Sequence, residues 1–137
     1  MLDKLRRFRK FPLATYPTPL EPASRLSKEL GIELLFKRDD AVELALGGNK
    51  VRKLEYLIGD ALSKGFDTVI TTGATHSNHA RLTAAAAVKA GMMAYLVLTP
   101  PGSRELKGNL LLDKLLGAEV VFTESDPWKR WRGLLRS

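Results

Sequence analysis

Strand-like and helix-like segments alternate regularly along residues 49–123. Apolar periodicity predicts three helices, at residues 49–64, 77–90 and 105–116, each followed by a glycine. Short β-rich runs predict three strands, at residues 67–72, 93–98 and 119–123. Strands that alternate with helices of this length are joined by crossover connections. The pattern therefore predicts an α/β fold, with a parallel sheet and flanking helices.

Residues 1–48 have a different character. Four prolines within residues 11–22 predict an extended segment, because proline restricts both its own backbone and that of the residue before it. Residues 24–30 predict a short helix that ends at Gly31. Residues 32–37 then predict a strand that is apolar enough to be buried.

Asp39 and Asp40 follow this strand, and we expect them to serve turn chemistry and ion pairing. The chain is accordingly divided into three parts. Residues 1–48 form an N-terminal segment, residues 49–125 form a small α/β domain, and residues 126–137 begin a further helix.

Composition argues against several classes of protein. Lysine and arginine total 22 against 15 acidic residues, which gives a net charge of +7 over 137 residues. Much of this excess lies near the two ends of the chain, which is typical of solvated arms, so we expect no nucleic-acid partner. Two histidines and no cysteine predict no metal site. Neither a membrane span nor the apolar core of a signal peptide is present in the sequence, so we expect no membrane partner and a cytoplasmic location.

A lysine begins the first long helix, in the sequence GGNK at residues 47–50. The glycines allow a tight approach or a positive φ, and Asn49 is a candidate N-cap. We expect Lys50 to lie on the apolar stripe of the helix, with Arg52 and Glu55 pointing away; the stripe comprises Leu54, Leu57, Ile58, Ala61 and Leu62. Burial and the positive end of the helix dipole both favour a neutral amine, which is a nucleophile toward carbonyls. The more common alternative is a lysine that extends into solvent.

A second polar segment, GATHSNHAR at residues 73–81, follows the first strand of the alternation. Ligands of parallel α/β sheets bind beyond the carboxyl ends of the strands, and free N–H groups at a helix start suit an anion. Ser77 is a candidate nucleophile or proton relay, Asn78 a donor to a phenolate-type oxygen, and His79 a proton donor or substrate contact. The structural alternative for Ser77 is an ordinary N-cap.

These two segments, GGNKxRKLEYL and GAxHSNH, resemble those of the D-cysteine desulfhydrase and 1-aminocyclopropane-1-carboxylate deaminase family. Members are pyridoxal phosphate enzymes with a tryptophan synthase β-like fold. TPL at residues 18–20, KRDD at 37–40 and LKGN at 106–109 are similar to that family as well. The resemblance covers nearly all of residues 11–123. It implies that residues 49–125 are the small domain, and that residues 1–48 belong to a large domain.

The resemblance implies roles for single residues. Lys50 matches the lysine that binds pyridoxal phosphate covalently, and Asn78 matches the asparagine that bonds its 3′-oxygen. Ser77 matches a catalytic serine that contacts the substrate and is implicated in its proton or nucleophile chemistry. His79 stands where deaminases carry glutamine and desulfhydrase-like members carry histidine, and Ser77, Asn78 and His79 are the implied substrate-binding residues. The implied reaction is α,β-elimination on a small amino acid, in which D-cysteine is converted to sulfide, pyruvate and ammonia. The resemblance also implies a homodimer for the full-length family. The alternative is 1-aminocyclopropane-1-carboxylate deaminase activity.

Members of this family are considerably longer than 137 residues. Their glycine-rich phosphate cup, and the residue that faces the pyridine nitrogen, come from a later part of the chain. The resemblance therefore implies an incomplete chain with a large domain that is only partly represented. Two further hypotheses are a catalytically inactive α/β association module and a basic nucleic-acid binder.

Overall fold

The computed structural model describes residue 5 and residues 7–99 and 105–123. Its helices and strands, in chain order, are β1 (Leu20–Pro22), α1 (Ser24–Leu30), β2 (Leu35–Lys37), α2 (Lys50–Ser63), β3 (Thr68–Ala74), α3 (Asn78–Lys89), β4 (Met93–Thr99), α4 (Gly108–Leu115) and β5 (Glu119–Phe122). Two short 3₁₀ turns, Asp39–Ala41 and Leu44–Leu46, lie between β2 and α2. The predicted helix start at residues 126–137 lies outside the described residues.

Three of the strands form a parallel sheet in the order β3-β4-β5. The register places Ile70 beside Tyr95 and Val97 beside Val121. The helices α3 and α4 provide the two crossovers, since α3 joins β3 to β4 and α4 joins β4 to β5. The predicted α/β fold with a parallel sheet is thus confirmed, and the predicted ends of these strands and helices differ from the observed ones by at most three residues.

The core lies between one face of the sheet and the helices. Along β4, Ala94, Leu96 and Leu98 are buried, whereas Met93 and Tyr95, on the opposite face, are exposed. Helix α3 contacts β3, β4, α2 and α4, and every residue from 80 to 87 is buried. The buried stretch is mostly alanine, which allows the neighbouring elements to approach closely, and it also contains the polar residues Arg81 and Thr83.

The helix that begins at Lys50 buries a different face from the one predicted. Its buried residues are Val51, Leu54, Glu55, Ile58 and Gly59. The prediction for Leu54 and Ile58 is therefore confirmed. Leu57 and Leu62 were predicted to face the core, but they are 56% and 37% exposed, so that part of the prediction is wrong.

The N-terminal segment accounts for this difference, because it crosses α2 on the face that carries Glu55. The carboxylate of Glu55 accepts a hydrogen bond from the backbone N–H of Leu13 at 3.1 Å and pairs with Lys10 at 2.7 Å. A Cβ atom on Gly59 would lie 2.4 Å from the carbonyl oxygen of Arg9, so only glycine permits this crossing. The prediction that Glu55 points away is wrong, since the residue is 2% exposed.

The strands before α2 form a small ribbon. β1 and β2 pair antiparallel, and α1 ends at Gly31, which adopts φ 67° as a left-handed C-cap. The helix prediction at residues 24–30 is confirmed. β2, however, is exposed along its length, with Leu35 at 43% and Phe36 at 51%. The prediction of a buried strand is therefore wrong for the structure described, in which β2 is paired at its edge with β1 alone.

Candidate active site

The turn after β3 carries the polar residues that the sequence singled out. Ser77 is the N-cap of α3, and its hydroxyl oxygen accepts a hydrogen bond from the N–H of Ala80 at 3.3 Å. A Cβ atom on Gly73 would lie 2.7 Å from the Ser77 oxygen, so this glycine makes room for the cap. Ser77 is therefore an N-cap in this fold, which was the structural alternative to a role as nucleophile or proton relay. Its hydroxyl hydrogen remains available to a ligand, because the capping bond uses only a lone pair.

The carboxyl end of β4 holds the same turn in place. Thr75 is buried, and its hydroxyl donates to the carbonyl oxygen of Thr99 at 3.4 Å. The Thr99 hydroxyl donates in return to the carbonyl oxygen of Gly73 at 3.3 Å. These two bonds join the carboxyl ends of β3 and β4. The polar turn is thus held at the edge of the sheet where ligands of parallel α/β folds bind.

Asn78, the first residue of α3, has an exposed side chain. Its Oδ1 atom accepts a hydrogen bond from Nδ2 of Asn109 at 2.9 Å, and the same nitrogen donates to the carbonyl oxygen of His76 at 2.7 Å. Asn109 is therefore part of the site, although the sequence pattern singled it out only within the LKGN resemblance. The backbone N–H groups of Asn78 and His79 begin the helix and have no acceptor within it.

The loop before Lys50 is packed closely against two other elements. Gly47 adopts φ 70°, and a Cβ atom there would lie 2.2 Å from the carbonyl oxygen of Asp40. On the other side, Arg81 of α3 donates from Nη2 to the carbonyl oxygen of Gly47 at 3.0 Å. The predicted need for a tight approach and a positive φ is confirmed. Through Arg81, the fold brings the loop that leads to Lys50 against the helix that begins at Asn78.

Lys50 itself is half-buried at the start of α2. Its Nζ atom donates to Oδ1 of Asn49 at 2.9 Å. Asn49 was predicted to cap the helix, but its side chain makes no capping hydrogen bond, because it accepts from Lys50 instead. The amine is thus held near the helix start by the neutral amide of Asn49. A ligand carbonyl could take the place of that amide as the partner of the amine.

His79 lines a groove of about 230 Å³ between α2, β3 and α3. Its Nε2 is 3.2 Å from the hydroxyl of Thr71, and its Nδ1 is 3.5 Å from that of Thr83. Burial lowers the pKa of His79, and the positive charges of Lys53 and Lys50 lower it further. The ring is therefore neutral at pH 7, which suits a hydrogen-bonding contact better than the donation of a proton.

The two aspartates after β2 have structural partners. Asp39 pairs with Arg52 at 2.6 Å and accepts from the Thr18 hydroxyl at 2.9 Å. The hydrogen bond from Arg52 lowers the pKa of Asp39 to about 2. Asp40 pairs with Arg38 at 2.8 Å. The prediction of ion pairing is confirmed, and Arg52, from the motif that begins at residue 47, fastens α2 to the N-terminal segment.

The donors at this edge of the sheet suit the cofactor that the resemblance implies. Pyridoxal phosphate carries an aldehyde, a phenolic oxygen and a phosphate. Lys50 would supply the amine for the aldehyde, and Asn78 would supply an amide able to donate to the phenolic oxygen. Lys50 and Lys53 also provide positive charge near this edge, which favours an anionic group. These residues therefore fit the cofactor's ring and aldehyde. Among the described residues, no cluster of three or more metal-ligating side chains occurs, and no helix is long and apolar enough to span a membrane.

Comparison with known proteins defines the class. The family model of pyridoxal-phosphate dependent enzymes matches residues 12–134, and the chain belongs to that family. The resemblance inferred from the motifs is thereby confirmed, as is the dependence of the family on pyridoxal phosphate.

Two named relatives from the family show how similar the chain is to individual members. The chain is 54% identical over 122 residues to a Pyrococcus abyssi protein named "Putative 1-aminocyclopropane-1-carboxylate deaminase", covering 89% of this chain and 36% of the relative. It is 47% identical over 128 residues to a D-cysteine desulfhydrase of Yersinia pestis (strain Pestoides F), covering 90% of this chain and 39% of the relative. The chain thus spans little more than a third of the length of these relatives.

Solved structures agree with the fold. A crystal structure of an ACC deaminase homologue superposes with a TM-score of 0.84 at 50% identity, covering 91% of this chain and 38% of that one. The processed form of threonine deaminase isoform 2 from Solanum lycopersicum superposes with a TM-score of 0.66 at 24% identity, covering 82% and 30%. The second similarity concerns the fold alone. Together they confirm the tryptophan synthase β-like class predicted from the sequence.

Proposed function

We propose that this chain carries the lysine side of a pyridoxal phosphate site for α,β-elimination on a small amino acid, with D-cysteine as the preferred substrate. One observation carries the proposal. Arg81 joins the loop before Lys50 to helix α3, so a half-buried amine and the Asn78 amide belong to one packed unit. An aldehyde and a phenolate oxygen on one aromatic ring require such a pair of groups.

Each residue has a separate part in the proposal. Lys50 would hold the cofactor through Nζ at its aldehyde carbon, and the same nitrogen, once released by the substrate amine, would accept the Cα proton of the substrate. Asn78 donates to the 3′-oxygen and so orients the ring. When bound, the cofactor's pyridine ring accepts the electron pair left at Cα. Ser77 offers its hydroxyl hydrogen to the substrate while its oxygen caps α3.

The choice between the two substrate classes depends on His79. A neutral imidazole that is hydrogen-bonded between Thr71 and Thr83 provides a fixed, uncharged wall to the neighbouring groove. The resemblance associates histidine at this position with the desulfhydrase branch, and the Yersinia pestis relative bears that name. The second candidate, deamination of 1-aminocyclopropane-1-carboxylate, is supported by the higher identity to the Pyrococcus abyssi relative.

Borohydride trapping tests the proposal on the 137-residue chain. Pyridoxal phosphate is added at micromolar concentration and the product is reduced and mapped by mass spectrometry. We expect the label on Lys50. Lys53 is a matched control, because it lies on the same helix, three residues away, and is exposed. The Lys53→Ala variant should retain the label, and Lys50→Ala should lose it. Labelling spread evenly over the exposed lysines would contradict the proposed site.

A further inference from the structure

We infer that Asn109 is a positioning residue, which fixes the side-chain amide of Asn78 in the one orientation that offers a donor to a ligand. The inference rests on the proposed pyridoxal phosphate site. Asn109 touches no proposed reacting atom, and it acts through Asn78.

The orientation of the Asn109 amide is itself determined by hydrogen bonds. Its Nδ2 has two hydrogens, and the structure gives it two acceptors: the carbonyl oxygen of His76 at 2.7 Å and Oδ1 of Asn78 at 2.9 Å. The carbonyl oxygen of His76 belongs to the turn and can only accept. The atom of Asn109 that faces this turn must therefore be its nitrogen, which leaves the second hydrogen for Asn78.

This arrangement determines the orientation of Asn78. Its amide is planar, with oxygen and nitrogen on opposite sides, so a bond from Asn109 to Oδ1 turns Nδ2 away from α4. Among the described residues, Nδ2 of Asn78 makes no hydrogen bond to another group, and the side chain is exposed. A phenolate oxygen can only accept, and a flipped amide would present a second acceptor to it. Asn109 therefore excludes the orientation that would repel the ligand.

The fold explains why α4 can perform this task. Helix α4 begins at Gly108, and a Cβ atom on that residue would lie 3.7 Å from Nδ1 of His76, so the start of the helix packs against the turn after β3. Leu110 and Asp113 of α4 are fully buried and anchor the helix in the core. Asn109 is thus presented by a fixed helix start to a fixed turn.

Two variants of the full chain test the inference. Asn109→Ala removes the donor, and we expect pyridoxal phosphate to bind about threefold to tenfold more weakly, as for one lost hydrogen bond. In a chain that already carries Asn78→Ala, the same substitution should cause no further loss, because its effect passes through Asn78. Lys114→Ala is the matched control, since Lys114 is an exposed residue of the same helix.

A spectroscopic readout needs no cofactor. Asn109→Asp keeps the shape of the side chain but can only accept, so we expect the amide of Asn78 to turn and its side-chain ¹⁵N–¹H resonances to move. Those resonances are assigned by their loss in Asn78→Ala, and Lys114→Ala should leave them in place. Circular dichroism confirms that each variant is folded.

The outcomes separate the two proposals. If the Asn78 resonances stay in place in Asn109→Asp, or if the two alanine substitutions weaken binding additively, the inference is wrong, while labelling of Lys50 leaves the proposed function standing. If Lys50 of the unaltered chain takes no label, the proposed function is wrong, and the resonances alone then decide whether Asn109 orients Asn78.

Discussion

Arg81 donates a hydrogen bond to the carbonyl oxygen of Gly47 across 3.0 Å, and 34 residues of sequence separate the two. Arg81 is 6% exposed, and its Nε has no hydrogen-bond partner among the described residues. A buried guanidinium with a backbone carbonyl as its hydrogen-bond acceptor requires strong compensation from the surrounding structure. In this chain Arg81 holds the loop that precedes Lys50.

The first prediction concerns this bond. Arg81→Met should lower the free energy of unfolding by about 1–3 kcal/mol, because it leaves the buried Gly47 carbonyl without its donor. It should also slow the labelling of Lys50, since the loop before that residue loses its attachment. Urea denaturation and the borohydride assay measure the two effects. Arg25→Met, on an exposed site in α1, is the control and should change neither. Unaltered labelling would show that the loop keeps its position without Arg81.

The second prediction concerns Asp113, which is fully buried in α4 and has both carboxylate oxygens without a hydrogen-bond partner in the described structure. Burial raises its pKa to about 6, and the charge of Arg81 opposes the rise. The folded chain therefore holds a proton that the unfolded chain releases near the ordinary value of 3.8. Between these two values the folded state binds more protons, so stability should fall as the pH rises from about 4 to about 6 and level off above.

Asp113→Asn tests this dependence. At pH 7 the variant should be more stable than the unaltered chain by about 1–3 kcal/mol, and the difference should vanish below pH 4. The measurement is thermal or urea unfolding at several pH values. Asp67→Asn, at an exposed position, is the control. A variant that is less stable at pH 7 would indicate that the charged carboxylate is stabilised in the folded state.

The third prediction concerns the crossing at Gly59. Replacing a helical glycine with alanine ordinarily stabilises a helix by about 1 kcal/mol. Here we expect the opposite sign, a loss of about 1–3 kcal/mol, because the new Cβ would lie 2.4 Å from the carbonyl oxygen of Arg9. Limited proteolysis should also cut residues 9–13 faster. Lys53→Ala on the same helix is the control, and a stabilised Gly59→Ala variant would show that the segment moves aside without cost.

Much of the fold could be predicted because periodicity and glycine placement are local signals. The alternation of residues 49–123 gave the parallel sheet, and Gly31 marked a helix end that the structure confirms. The rotational phase of α2 could not be predicted in the same way. Leu57 and Glu55 exchange their expected environments because a distant segment covers the helix at Glu55, and the sequence of α2 alone contains no signal of that contact.

In the candidate site, too, some residues could be predicted from the sequence and others could not. Lys50 and Asn78 were found from two motifs, and the fold joins their segments. The roles of Asn109 and Arg81 depend on tertiary hydrogen bonds, so no spacing rule identifies them. One signal was available for Arg81: it is the single charged residue in residues 80–87, a stretch that otherwise contains five alanines, Leu82 and Thr83. A charge in such a stretch indicates a buried partner. The division of the chain at residues 48 and 125 stays a prediction.

The enclosure of α3 has a consequence for motion. Because residues 80–87 are buried on every side and protein interiors resist compression, α3 can move only together with the sheet. Asn78, at its first turn, is therefore carried by a rigid body. Among the described residues, α2 leaves Leu57 and Leu62 exposed to solvent. We therefore expect any change in the separation between Lys50 and Asn78 to come from α2 and its loop, and the bond from Arg81 to Gly47 is the contact that such a displacement would strain.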